Sequence, residues 1–251
     1  MDPLDIARMQ FGVTTVYHFF FVPITIGLSF LVAGMHTAWV RTNNDKWLQA
    51  TKFFGKLLLI NFAMGVVTGI LQEFQFGMNW SDFSRFVGDI FGAPLAIEAL
   101  LTFFLESVFL GLWIFGWDRL PKKLHLATIW LFAAGTVMSA YMILAANSFM
   151  QHPVGYEFNE ERNRAEMVDF LNVMFQNTAV MTWMHTISAA FLTGSVFVAG
   201  ISLWLLMRRK SDDMARATLR VGAVVALISA VALSLTGDQY AKIMVEQQPM
   251  K

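Results

Sequence analysis

The chain has 251 residues, 56% of them hydrophobic and 14% charged, with a net charge of zero. A soluble domain carries about 25% charged residues, so the apolar excess, which comes in blocks, reads as membrane spans rather than one water-soluble core. Zero net charge gives no case for a nucleic-acid partner, and the lack of cysteine excludes disulfides, zinc-finger spacing, iron–sulfur clusters and a thiolate haem ligand.

A span needs about 20 apolar residues at ~1.5 Å each. Six segments qualify, roughly 14–40, 51–76, 92–117, 122–147, 179–207 and 217–236. The fold class is therefore all-α: a polytopic membrane helical bundle with six transmembrane helices over residues 1–236. The N-terminus, Met1-Asp2-Pro3-Leu4-Asp5, lacks the basic leader of a cleaved signal, so the first run is expected to be retained. That run holds His18 and Pro23, and Pro23 predicts a kink. The second span carries Gly65 and Gly69 at a spacing suited to close helix contact. It ends in Glu73 and Gln75, placed to cap the helix or to meet a cofactor. Pro94 and Pro121 suit the first turns of the third and fourth spans. The linker 148–178 is acidic and is expected to hold a short surface helix around 165–176.

Orientation follows from lysine and arginine. The face shared by both termini carries six: Arg8, Arg85, Arg162, Arg164, Lys242 and Lys251. The opposite face carries the other twelve, around residues 45, 120 and 212. The positive-inside rule then puts both ends of the segment outside and the basic loops in the cytoplasm.

Glu98 and Glu106 sit in one apolar run, Pro94–Trp117. An ionisable residue inside a membrane is expensive and points to a proton path, an ion site or a metal contact. On an ideal helix the two are about 12 Å apart along the axis and roughly 80° apart around it, too far to pair but able to border one cavity. Burial disfavours the charged form of a carboxyl, the property a proton carrier needs near neutral pH. The competing role is a structural acid bonded to a neighbouring helix. His36, His125 and His152 lie near helix ends, where histidines are ordinarily solvated or hydrogen-bonded. His18 and His185 lie within spans at similar depth, among Phe, Met and small residues, and neutral imidazole is a standard haem-iron ligand. Read from residues alone, the candidates stay open: an oxidase, an electron-transferring haem b subunit, a proton-conducting transporter, or a structural membrane subunit.

Long strings resolve the choice. FGKLLLINFAMGVVTGILQEFQFGMNW at 54–80, FVGDIFGAPLAIEALLTFFLESVFLGLWIFGWDRLPK at 86–122, ANSFMQHPVG at 146–155 and QFGVTTVYHFFFVPITIG in the first span resemble subunit I of cytochrome bd-type quinol oxidases. The resemblance covers essentially the whole chain. It implies a terminal respiratory oxidase of a bacterial or archaeal cytoplasmic membrane. Such an enzyme oxidises quinol (menaquinol or ubiquinol) at the external face and reduces O2 to water, generating proton motive force without pumping. The implied cofactors are a low-spin haem b, a high-spin haem b and haem d. The implied partners are subunit II, small accessory subunits and the remainder of subunit I.

Residue by residue, His185 matches the low-spin haem b ligand. His18 matches the ligand of the haem d or high-spin haem b iron. Glu98 matches the acid beside haem d, and Glu106 with Ser107 the proton-channel pair. Asp238 and Lys251 align with the start of the external quinol-binding loop, expected over 237–251. Family members are much longer. The remaining quinol loop with its glutamate, the methionine second ligand and the glutamate of the haem pair have no counterpart here. The segment alone is not expected to be catalytic.

Overall fold

Helix α1 (Pro3–Thr42) begins behind Asp2, whose side chain accepts the Leu4 amide, with Pro3 at the first helical position. It ends at Asn43, which takes the left-handed conformation that asparagine tolerates. Asn44 caps α2 (Asp45–Gly77). In this computed structural model, which describes residues 2–210 and 212–248, there follow α3 (Ser81–Ile97), a π-helical turn (Glu98–Thr102), α4 (Phe103–Phe115), α5 (Lys122–Gln151), α6 (Phe170–Phe175), α7 (Asn177–Met207) and α8 (Asp212–Gln247). Among the described residues, six helical segments, with α3, the π turn and α4 counted as one, are long and apolar enough to cross a membrane. The protein is a multi-pass membrane helical bundle.

The six spans stand where hydropathy puts them, but most outrun it. α1 starts at Pro3 and α8 runs to Gln247, so residues 237–247, expected to open a loop, are the last turns of a helix. Their polar residues lower hydropathy without breaking backbone hydrogen bonding. Pro94 is a correction: the helix begins at Ser81, and the proline lies inside it rather than in its first turn. Pro121 sits at the N-cap of α5, close to the expected place.

The linker is also corrected. Residues 165–167 belong not to a helix but to a hairpin in which β1 (Tyr156–Asn159) pairs antiparallel with β2 (Arg164–Met167). Helix appears only at Phe170–Phe175. Asn163 in the left-handed region makes the turn. Glu166 accepts hydrogen bonds from Asn159 and from Arg164 at 2.8 Å, and these hold its carboxyl below the usual carboxylate range. Asp89 of α3 accepts the Met167 amide at 2.8 Å and ties the hairpin down.

The main core joins α1, α2, α4, α5, α7 and α8 around Leu28, Val32, Phe54, Leu58, Trp113, Phe132 and Val198. The closest approach of α1 and α7 is at Gly27 and Gly194: a Cβ on Gly27 would lie 2.9 Å from the Gly194 Cα. The core is uneven along the bundle. Buried residues of α1 run only from Ile24 to His36, and α2, apart from Thr68, is buried only between Ala50 and Leu58. The half nearer the termini carries exposed Val16, Phe20, Val67, Leu71 and Phe74.

Candidate functional site

His18 lies nine residues before Gly27 and His185 nine before Gly194. α1 and α7 run parallel and touch at those glycines, so the two imidazoles sit at one depth, about 13 Å along the axes from the contact. Both are half-buried. Each meets a Thr-Gly pair on a neighbouring helix. His18 Nδ1 is 3.1 Å from Thr68 Oγ1 on α2, and His185 Nδ1 is 3.2 Å from Thr236 Oγ1 on α8. The following glycine receives the ring. A Cβ on Gly69 would stand 2.9 Å from His18 Cε1, and one on Gly237 3.2 Å from His185 Cε1. The Gly65–Gly69 pair thus serves helix contact as expected, but Gly69 does so by seating an imidazole. Tyr240 stacks on His185 with ring centroids 6.0 Å apart.

Glu98 opens the π-helical turn. Such a turn inserts one residue into an α-helix. Eight residues then cover about the arc of seven, and the offset between Glu98 and Glu106 falls from about 80° to about 20°. The two side chains converge on one face of α5. Ser139 donates to Glu98 Oε1 at 2.5 Å, and Gly135, one turn away, leaves room for the Glu106 side chain: a Cβ there would lie 2.9 Å from its Cγ. Glu106 is 6% exposed, and its Oε1 has no hydrogen-bond partner among the described residues. Glu98 and Glu106 thus form one row of carboxyls against Ser139 and Gly135 of α5. On α7, Trp183 donates to the Val137 carbonyl at 3.2 Å, which puts Ser139 within about a turn of the histidine layer.

Ser107 does not join this group. It is exposed, and its hydroxyl bonds the Phe103 carbonyl. Asp238 is on α8 in an exposed ion pair with Lys242 at 2.6 Å, and Lys251 lies outside the described residues. Among the described residues Glu73 caps nothing; the neighbouring Gln72 accepts from Thr15 and Gln75 from Asn79. Sequence reading missed Thr68, Thr236, Ser139 and Gly135. Small residues in apolar helices give no pattern of their own, although the repeated Thr-Gly dipeptide is visible once the histidines are chosen.

Two of the three helix-end histidines, His36 and His125, are buried together. Trp113 Nε1 donates to His36 Nδ1 at 3.1 Å, and His125 Nε2 bonds the Trp113 carbonyl at 2.7 Å. Trp39 and Trp117 stack on the His36 ring. They form a structural plug at the basic end of the bundle.

Residues 6–251 match the family model for cytochrome bd terminal oxidase subunit I. The chain is 52% identical over its whole length to a cytochrome bd ubiquinol oxidase subunit 1 of Bacillus subtilis, covering 53% of that protein. It is 45% identical to a cytochrome bd-II ubiquinol oxidase subunit 1 of Escherichia coli, again over the whole chain and 49% of the relative. The chain thus spans about half the length of these relatives. The fold superposes on the bd oxidase structure from Geobacillus thermodenitrificans with a TM-score of 0.92 at 28% identity, covering 99% of this chain and 57% of that one. This chain belongs to the cytochrome bd terminal oxidase subunit I family.

Proposed function

We propose that the chain is the haem-binding part of subunit I of a membrane quinol oxidase that passes electrons from quinol to O2. The observation that carries this is the pair of depth-matched imidazoles, each anchored at Nδ1 and seated on a glycine. A haem site needs an imidazole held through one nitrogen with the other free for iron, and apolar walls for the macrocycle. Both histidines hydrogen-bond through Nδ1, and exposed Val16, Phe20, Val67, Leu71 and Leu235 offer apolar surface along their helices. The residues fit the group. His185 would hold low-spin haem b, and His18 the iron of haem d or high-spin haem b, with Glu98 beside haem d. These haems supply one-electron transfer and reduction of dioxygen.

Protons consumed at that layer reach it along the carboxyl row. Glu106, buried and with one oxygen unpartnered, takes a proton from the basic side of the bundle. Glu98 receives it, with the Ser139 hydroxyl bridging α5 to its Oε1. Ser139, not Ser107, is the hydroxyl that reaches a carboxyl. Quinol oxidised on the terminal side, near Asp238, releases its protons there. Uptake on one face and release on the other builds proton motive force without a pumping element. Subunit II, the remainder of subunit I and the surrounding lipid complete the assembly.

The test is a reduced-minus-oxidised absorption spectrum of the complete oxidase, before and after carbon monoxide. A far-red chlorin band that shifts with carbon monoxide supports the reading. Haem b bands alone would reduce the protein to an electron carrier, and a colourless protein would return the carboxyl row to a transporter. H185A that keeps the low-spin spectrum would remove that ligand assignment.

A further inference from the structure

Each candidate ligand histidine faces a threonine whose own proton is already committed. Thr68 Oγ1 donates to the Met64 carbonyl at 2.9 Å, with the Gly65 carbonyl at 3.0 Å. Thr236 Oγ1 donates to the Ala232 carbonyl at 2.8 Å, with that of Leu233 at 3.3 Å. A hydroxyl has one hydrogen, and a carbonyl can only accept. In both cases the carbonyl is nearer than the imidazole, which stands at 3.1 Å from Thr68 and 3.2 Å from Thr236. Toward the histidine, therefore, each threonine oxygen is an acceptor, and Nδ1 must carry the proton. Neutral imidazole with its proton on Nδ1 has its lone pair on Nε2.

The same arrangement occurs twice on unrelated helix pairs, α1 against α2 and α7 against α8. In each, the residue after the threonine is the glycine against which the ring lies, so one Thr-Gly dipeptide sets both tautomer and tilt. Packing alone accounts for a glycine under a ring. It does not account for a back-bonded hydroxyl at the same atom of both histidines.

We propose that Thr68 and Thr236 are positioning residues that fix His18 and His185 as Nδ1-protonated imidazoles, each presenting Nε2 to a haem iron and thereby tuning that haem. This rests on the haem-ligand reading given above. A hydrogen bond from the far nitrogen makes a ligating imidazole a stronger base, and a stronger base favours the oxidised metal. Removing the acceptor should therefore make the haem easier to reduce.

The experiment is T236V and T68V in the complete oxidase complex, with T236S and T68S as the variants that keep the hydroxyl. Haem content and the midpoint potential of each haem are read by spectroelectrochemical titration. T236V should favour reduction of the low-spin haem about tenfold, an upward shift of about 59 mV for one electron, with the other haems unmoved. T68V should do the same to the haem held by His18, and each serine variant should restore the parent value. Loss of haem in a valine variant but not in its serine counterpart supports the proposal equally. An unmoved or lowered potential with haem retained overturns it, and so does a serine variant as damaging as valine. H185A and H18A separate the two levels. If they keep their haem spectra, the ligand reading fails and the proposal with it. If they bleach while the valine variants stay silent, only the threonine role fails.

Discussion

Alanine substitutions along the α2 glycines separate helix packing from ligand seating. In the usual reading of such a spacing, Gly65 and Gly69 are equivalent small contacts. The geometry makes them unequal. A Cβ on Gly65 would stand 3.5 Å from the Phe21 Cβ, an ordinary van der Waals contact, whereas one on Gly69 would stand 2.9 Å from His18 Cε1. To regain about 3.5 Å the imidazole must retreat by about 0.6 Å. Its bond to Thr68 is already 3.1 Å long, and a retreat of that size leaves the range in which such bonds hold. The loss is about 1 kcal/mol of hydrogen bond, plus a misplaced ligand of the kind that costs ~10- to 100-fold in affinity. G65A, by contrast, replaces glycine in a helix interior and gains up to about 1 kcal/mol in propensity. Haem per complex and thermal unfolding of the detergent-solubilised oxidase read the two outcomes. G69A should lose haem or shift its spectrum while G65A keeps both, and G237A, with a Cβ 3.2 Å from His185 Cε1, should fall between. Equal damage from G65A and G69A, or an unaltered spectrum in G69A, would refute the seating argument.

S139A removes the donor to Glu98 Oε1 and should slow turnover severalfold with haem content unchanged, an effect of about 1–3 kcal/mol on the unpaired carboxyl. E106Q should slow turnover more than it reduces haem content; equal loss of both would make Glu106 structural. W113F deletes the indole donor to His36 Nδ1, whose ring is fully buried, and should lower thermal stability by about 1–3 kcal/mol without changing the haem spectrum. In the β1–β2 hairpin, hydrogen bonds from Asn159 and Arg164 hold Glu166 below its ordinary value. Its contribution is therefore present above the unfolded carboxylate value and lost as pH falls through the lower, folded one. Amide protection factors in 156–167, relative to the intrinsic exchange rate at each pH, should fall on acidification through that window, and E166Q should abolish that pH dependence.

The spans were legible because hydropathy needs only composition, and the depth match of His18 and His185 because helical rise is uniform. The row of Glu98 and Glu106 was legible as residues but not as geometry. An ideal helix gave an offset of about 80°, and the π-helical turn that removes most of it is a backbone event with no residue signature. Pro94 misled for a related reason. Proline at a helix start is the common case, and nothing in an apolar run shows that Ser81 has already begun the helix. The hairpin was hidden by charge, since Glu157, Glu160, Glu161, Arg162 and Arg164 favour a solvated helix as readily as a turn. The positioning threonines were unreadable until their partners were known, because a threonine in a transmembrane helix ordinarily bonds only its own backbone.

The concentration of the core toward the basic end has a consequence for how the molecule is built. Helices that bury Ile24 to His36 and Ala50 to Leu58 can lock together on insertion into lipid. The opposite ends of α1 and α2, with their exposed valines, leucines and phenylalanines, present apolar surface for a bound group or a neighbouring chain to cover. Along these two helices the basic end is a packed scaffold and the terminal end a surface completed on assembly. Slow amide exchange confined to the scaffold in an early assembly intermediate would be its kinetic imprint.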